Sequence, residues 1–205
     1  MINVPCETIV RLSKLLPPAD ADVEPIIRTL RLDNGRVIAT DRMFAAVEQV
    51  APFEGVFHIT VSSALATQCE IETQFSSVLQ VTPNPMLQWT SARTSLGYDV
   101  TENIGVYPTE PTAFDHWYER IVAPCLTPAP VSRGALVCQA EDVARLAATS
   151  PSGLVVFEGH IDISRPTLLR DAHSHDWVGF FHPRQDDGIY YAPATVPAWL
   201  REDKR

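Results

Sequence analysis

Ile26-Ile27-Arg28-Thr29-Leu30-Arg31-Leu32-Asp33-Asn34-Gly35-Arg36-Val37-Ile38-Ala39-Thr40 is the stretch on which the reading of the fold turns. Two β-prone runs flank Asp33-Asn34-Gly35, and Asn-Gly supplies the positive φ angles of a tight hairpin turn. This predicts antiparallel strands over 26–32 and 36–40, with a third over 44–50. Upstream, Ile9, Leu12 and Leu16 recur at helical spacing and Pro17-Pro18 stops the pattern, predicting a helix over 7–16. Arg11 and Lys14 fall on its opposite face. A helix followed by an antiparallel ribbon is an α+β unit.

The order then recurs twice. Residues 56–61 read as a strand, Ser62-Ser63 as a helix N-cap, and 64–72 as a helix with Leu65 and Cys69 one turn apart. Strands over 78–81 and 87–91 follow, separated by Pro83-Asn84-Pro85, and a strand over 95–99 closes the unit. Further on, 135–138 reads as a strand and 139–148 as a helix with Val143, Leu146 and Ala147 inward. Strands over 154–157 and 161–164 then flank Glu158-Gly159-His160. Val61 and Val137 stand 76 residues apart, as do Val78 and Leu154. Internal duplication of a half-domain accounts for this, against the alternative of chance likeness between ordinary α+β patterns. The aromatic run from Phe114 and the break at Pro128-Ala129-Pro130 make a connection between units. We divide the chain into a first domain, 1–107, a shortened second domain, 108–188, and a tail, 189–205.

The 205 residues are 45% hydrophobic and 20% charged, a composition that buries a substantial core. The formal charge of −9 opposes a surface that binds nucleic acid everywhere, although a local basic stripe is compatible with it. Cys6, Cys69, Cys125 and Cys138 are scattered without a C-x-x-C pair, so free thiols in a reducing cytoplasm are expected. No window reaches the roughly 20 apolar residues of a membrane helix, and the N-terminus lacks a signal-peptide pattern. The expected location is cytoplasmic.

Searches for catalytic motifs find no G-x-S-x-G elbow, no Gly-rich phosphate loop and no H-E-x-x-H. We assign no catalytic residue and no cofactor. The nearest thing to a metal site is Asp171-Ala172-His173-Ser174-His175-Asp176. In an extended strand His173 and His175 share a side, a geometry that suits a divalent metal, with His160 or Asp162 as a conceivable third ligand. A small metal-dependent hydrolase is the alternative this cluster offers; a solvated loop is the competing reading.

Arg36-Val37-Ile38-Ala39-Thr40-Asp41-Arg42-Met43-Phe44-Ala45 resembles the strand and turn that DNA sliding clamps of the bacterial polymerase III beta-subunit type write as a-T-D-G-h-R-l-A. The run from Phe114 to Pro124 resembles their inter-domain segment F-P-D-Y-x-R-v-l-P, and Trp177 to Arg184 their closing strand, which ends near M-P-M-R. The resemblance covers most of residues 1–185. It departs at Arg42 and Met43, which replace Gly and His of the turn, and three units stand where a bacterial clamp subunit carries six. The shortening suits a divergent, phage-encoded relative.

The resemblance implies a non-enzymatic protein of DNA replication or repair that self-associates as a homo-oligomer and binds duplex DNA or a replication protein, with no membrane partner. Clamp helices line the DNA hole, which carries the DNA-facing role onto Arg11, Lys14, Arg120 and Arg145; the same residues also suit solvated helix faces. The family's pocket for linear motifs carries over onto Val178, Phe180, Phe181 and Pro183, for which core packing is the plainer reading. Alternation sends Phe180 and Phe181 to opposite faces of a strand. The tail, from Ile189-Tyr190-Tyr191 to Trp199-Leu200, is a further candidate occupant of that pocket. A viral structural protein that keeps the fold without touching DNA is a third reading.

Overall fold

Residues 2–49 of the computed structural model run strand, helix, strand, strand, strand, and residues 56–105 repeat that order. The first unit is β1 (Ile2–Pro5), α1 (Cys6–Ser13), β2 (Thr29–Asp33), β3 (Arg36–Thr40) and β4 (Phe44–Gln49). The second is β5 (Val56–Thr60), α2 (Ser63–Glu72), β6 (Val78–Asn84), β7 (Trp89–Thr94) and β8 (Asp99–Gly105). The short α3 (Ala123–Leu126) precedes a third set: α4 (Ala140–Ala147), β9 (Val155–Glu158), β10 (Thr167–Asp171) and β11 (Trp177–Phe181). The structure describes residues 1–18, 21–23, 25–41, 43–84, 89–97, 99–105, 122–126, 140–158 and 166–181.

The first two units interlock by exchanging their leading strands. β1 pairs with β6 of the second unit, Ile2 opposite Val81, and β5 pairs with β2 of the first, Leu30 opposite Ile59. The resulting antiparallel sheets have the orders β1-β6-β7-β8 and β5-β2-β3-β4-β11-β10-β9. The longer one crosses from the first unit to the third through β4 and β11, with Phe44 opposite Phe181 and Glu48 opposite Trp177. A boundary drawn near residue 108 is therefore bridged by strand pairing.

Period-two alternation places Phe44, Ala46 and Phe181 on the helix-bearing face, where they meet Ile9 and Leu12 of α1, Leu65 of α2 and Leu146 of α4 in the main core. The Phe44 and Phe181 rings stack with centroids 4.9 Å apart. Ala45, Val47 and Phe180 point the other way and pack with Ile26, Ile27 and Ile38. Both faces of β2 are covered, and all five of its residues are buried.

Local chemistry sets the boundaries. At the hairpin, Asn34 and Gly35 adopt φ of 47° and 82°, as Asn-Gly predicts. Ser62 caps α2 by accepting a hydrogen bond from the Leu65 amide at 3.1 Å. Several expectations are corrected. Residues 26–28 belong to a 3-10 turn, Pro25–Arg28, because Pro25 fixes a helical φ and the Thr29 hydroxyl closes onto the Ile26 carbonyl at 2.6 Å. The helix expected over 7–16 ends at Ser13, where its last turn tightens into i to i+3 bonds, Leu15 N–H to Leu12 among them. β6 continues through Pro83 and Asn84, opposite Thr90 and Trp89. The closing strand begins at Asp99, since residues 95–97 form the preceding turn, with Gly97 at φ +95°. The strand beside β9 is β10 at Thr167–Asp171. Those expected at 135–138 and 161–164, the segment 114–121 and the tail lie outside the described residues.

Candidate nucleic-acid and partner interfaces

α1 brings Thr8 and Arg11 over β4, where Glu48 follows Phe44 and Ala46 at alternate positions and so projects toward the core. Arg11 Nη2 donates to Glu48 Oε1 at 2.6 Å and Thr8 Oγ1 donates to the same oxygen at 2.8 Å. Arg11 also lies 3.7 Å from Glu7, one helical turn back. Burial pushes the Glu48 carboxyl above its ordinary range, and Arg11 and Thr8 pull it only partly back. The cation assigned to DNA on sequence grounds is thus held within the protein.

Arg145 of α4 is committed in a similar way. Its Nη1 lies 3.2 Å from Asp41 Oδ2 and its Nη2 donates to the Leu15 carbonyl at 3.1 Å. Asp41 is itself fixed by the turn, since Oδ1 accepts the Met43 and Phe44 amides at 3.0 and 2.8 Å. One carboxylate therefore shapes the β3–β4 turn and anchors α4 over the first unit. Lys14 is exposed, and Arg120 lies outside the described residues. α2 contains no Lys or Arg; Glu70 is exposed, while Glu72 is buried and accepts from Ser77 Oγ at 2.6 Å and Gln68 Nε2 at 2.7 Å. The helix layer thus presents little uncompensated positive charge among the described residues.

Phe180 and Phe181 do occupy opposite faces, but each is buried, at 4% and 3% exposure. Neither is open to a partner in this conformation. Val178 is half-buried and lines a groove of about 400 Å³ with Val47, Gln49, Arg36 and His175. Pro183 lies outside the described residues.

The 171–176 cluster is a structural clasp. Asp171 Oδ2 accepts hydrogen bonds from Ser150 Oγ, from the Ser152 amide at 2.8 Å and from its hydroxyl at 2.9 Å. Oδ1 accepts the amides of His173 and Ser174 at 2.7 and 2.8 Å. Burial alone would raise this carboxyl, but the hydrogen bonds outweigh it and hold the group far below the usual carboxylate range. Of the cluster's two carboxylates, Asp171 is saturated by N–H and O–H donors, while Asp176 is exposed. His173 and His175 are exposed, and no group of three or more His, Cys, Asp or Glu positioned for a metal occurs among the described residues.

Sequence reasoning missed Glu48 and the pairing role of Asp41. The first had a signal, an acid at an inward position of an alternating strand, which demands a buried partner. The partners themselves lie 37 and 104 residues away in sequence, and only the fold brings them together.

No protein-family model and no curated protein sequence matches the chain. Among solved structures it is similar to the DNA polymerase III beta subunit of Thermotoga maritima, with 11% identity and a TM-score of 0.51 over 98% of this chain and 66% of that one. The beta subunit of Streptococcus pyogenes superposes at 13% identity and a TM-score of 0.53, over 90% and 66% of the two chains. The C. crescentus beta sliding clamp gives 12% and 0.51, again over 90% and 66%. The chain spans about two thirds of the length of these proteins. Interlocked helix-on-sheet units, carried into a third unit through β4 and β11, are the sliding-clamp fold.

Proposed function

We propose that the chain is a clamp-like, non-enzymatic protein of DNA replication or repair that acts by self-association and by contact with a protein partner or duplex DNA. The interlocked units are the observation that carries this reading: the exchange of β1 and β5 joins the first two units into one helix-on-sheet body suited to assembly. The helix layer modifies the role. With Arg11 and Arg145 held in ion pairs, and Glu70 exposed on α2, attraction to phosphate rests on few charges such as Lys14. Duplex binding is accordingly weak and nonspecific, and partner contact carries more of the function.

Fluorescence anisotropy of a labelled duplex across a salt series, paired with sedimentation of the 205-residue chain, tests this. The expected result is low-salt binding with a shallow dependence on log salt, together with a species heavier than the monomer. A strict monomer that ignores duplex DNA at low salt would overturn the reading.

A further inference from the structure

In the first two units the first strand after the helix has a neighbour supplied by the other unit. β2 is flanked by β5 of the second unit, and β6 by β1 of the first. β9 holds the same place in the third unit, yet it ends the seven-stranded sheet, and no strand lies beyond it among the described residues. The Ala172 amide donates to the Leu154 carbonyl at 2.9 Å, and β9 runs antiparallel to β10 with Val156 opposite Arg170. Hydrogen bonding alternates along such a pair, so Leu154, Val156 and Glu158 bond toward β10. The backbone groups of Val155 and Phe157 point outward.

The side chains mark this edge further. Val155 packs on the main core, whereas Leu154 and Val156, two residues apart on the other face, are 57% and 47% exposed. Among the described residues this edge stands open beside exposed apolar side chains, and its centre, Val155-Val156-Phe157, has none of the charged residues that usually block edge pairing, the one acid of the strand, Glu158, standing at its end.

We propose that in the 205-residue chain this edge is closed by β9 of a second copy, across a two-fold axis at Val156. This rests on the self-association read above and names its surface. A two-fold makes the two β9 strands antiparallel, the sense of every pairing in both sheets. Centring on Val156 sets Val155 opposite Phe157 of the other copy, so the outward amides and carbonyls bond reciprocally. Val156 meets its own counterpart, and Glu158 lies opposite Leu154, which keeps like charges apart.

Two measurements on the full chain decide it: sedimentation equilibrium over a dilution series, and hydrogen exchange of the Val155 and Phe157 amides over the same series. The expected result is a dimer whose two amides lose protection on dilution, and a monomer with an unchanged far-UV spectrum for Leu154→Lys combined with Val156→Lys. A wild-type monomer at every concentration overturns both this interface and the self-association behind it. A dimer whose Val155 and Phe157 amides exchange independently of concentration, or one that survives the double substitution, overturns this interface alone and puts the contact elsewhere.

Discussion

Arg11 Nη2 sits 2.6 Å from Glu48 Oε1, tying the first helix to the sheet beneath it and withdrawing a cation from solvent. Both side chains are largely buried, at 15% and 9% exposure, so removing Glu48 leaves the Arg11 charge with only the exposed Glu7, 3.7 Å away, as partner. Glu48→Ala is expected to lower the unfolding free energy by roughly 3 kcal/mol. Glu48→Gln should cost less, because its amide oxygen still accepts from Arg11 and Thr8. The pH dependence has a definite sign. Burial raises the folded-state pKa above the unfolded value, so this carboxyl adds stability as pH falls through the folded pKa toward the unfolded one. Urea titrations at several pH values should show that contribution in the wild type and its loss in Glu48→Gln.

Asp171 titrates in the opposite sense. Its folded pKa is depressed, so its contribution is complete above the unfolded carboxylate value, about 4, and disappears as pH falls through the folded value. Asp171→Ala orphans the Ser152, His173 and Ser174 amides, for an expected loss of about 3 kcal/mol at neutral pH. The gap to the wild type should narrow in acid, once the native carboxylate is protonated. Added zinc should leave the thermal midpoint of the wild type unmoved; a rise that His173→Ala removes would restore the metal reading.

These two carboxylates show what the sequence carries and what it does not. Local signals were strong at Asn34-Gly35, at Ser62, and in the spacing of Ile9 and Leu12, because turn chemistry, capping and periodicity act within a few residues. The order of a helix followed by antiparallel strands was legible for the same reason, but β1, over Ile2–Pro5, was not expected, its four residues being too few to show a strand pattern. The exchange of β1 and β5 was not legible, since a strand's own pattern does not say which sheet it joins. Nor was the fate of Arg11 and Arg145: a charged residue on a helix looks the same in sequence whether it meets solvent or an acid from a distant strand.

Gly179 keeps β11 and α4 in contact. A Cβ built there would lie 2.6 Å from Trp177 Cη2 and 3.4 Å from Leu146 Cδ1, so the absence of a side chain makes room for the Trp177 ring beside the helix. Trp177 is fully buried, which leaves the ring little freedom to yield. Gly179→Ala is therefore expected to destabilise the fold by about 1–3 kcal/mol through overpacking. Chemical denaturation monitored by far-UV dichroism reads the loss directly; an unchanged midpoint would mean that α4 shifts without cost.

Asp41 offers a way to release a cation without removing the turn. Asp41→Asn retains an amide oxygen for the Met43 and Phe44 N–H groups, yet it deprives Arg145 of its negative partner. Arg145, at 35% exposure, then presents its charge at the helix surface without an acidic partner at Asp41. If the helix layer faces duplex DNA, this variant should bind a labelled duplex more tightly at low salt, and its salt slope should steepen by about one unit. Unchanged affinity in a variant of normal stability would show that α4 does not approach the phosphate backbone, moving the function of this face from nucleic acid to protein.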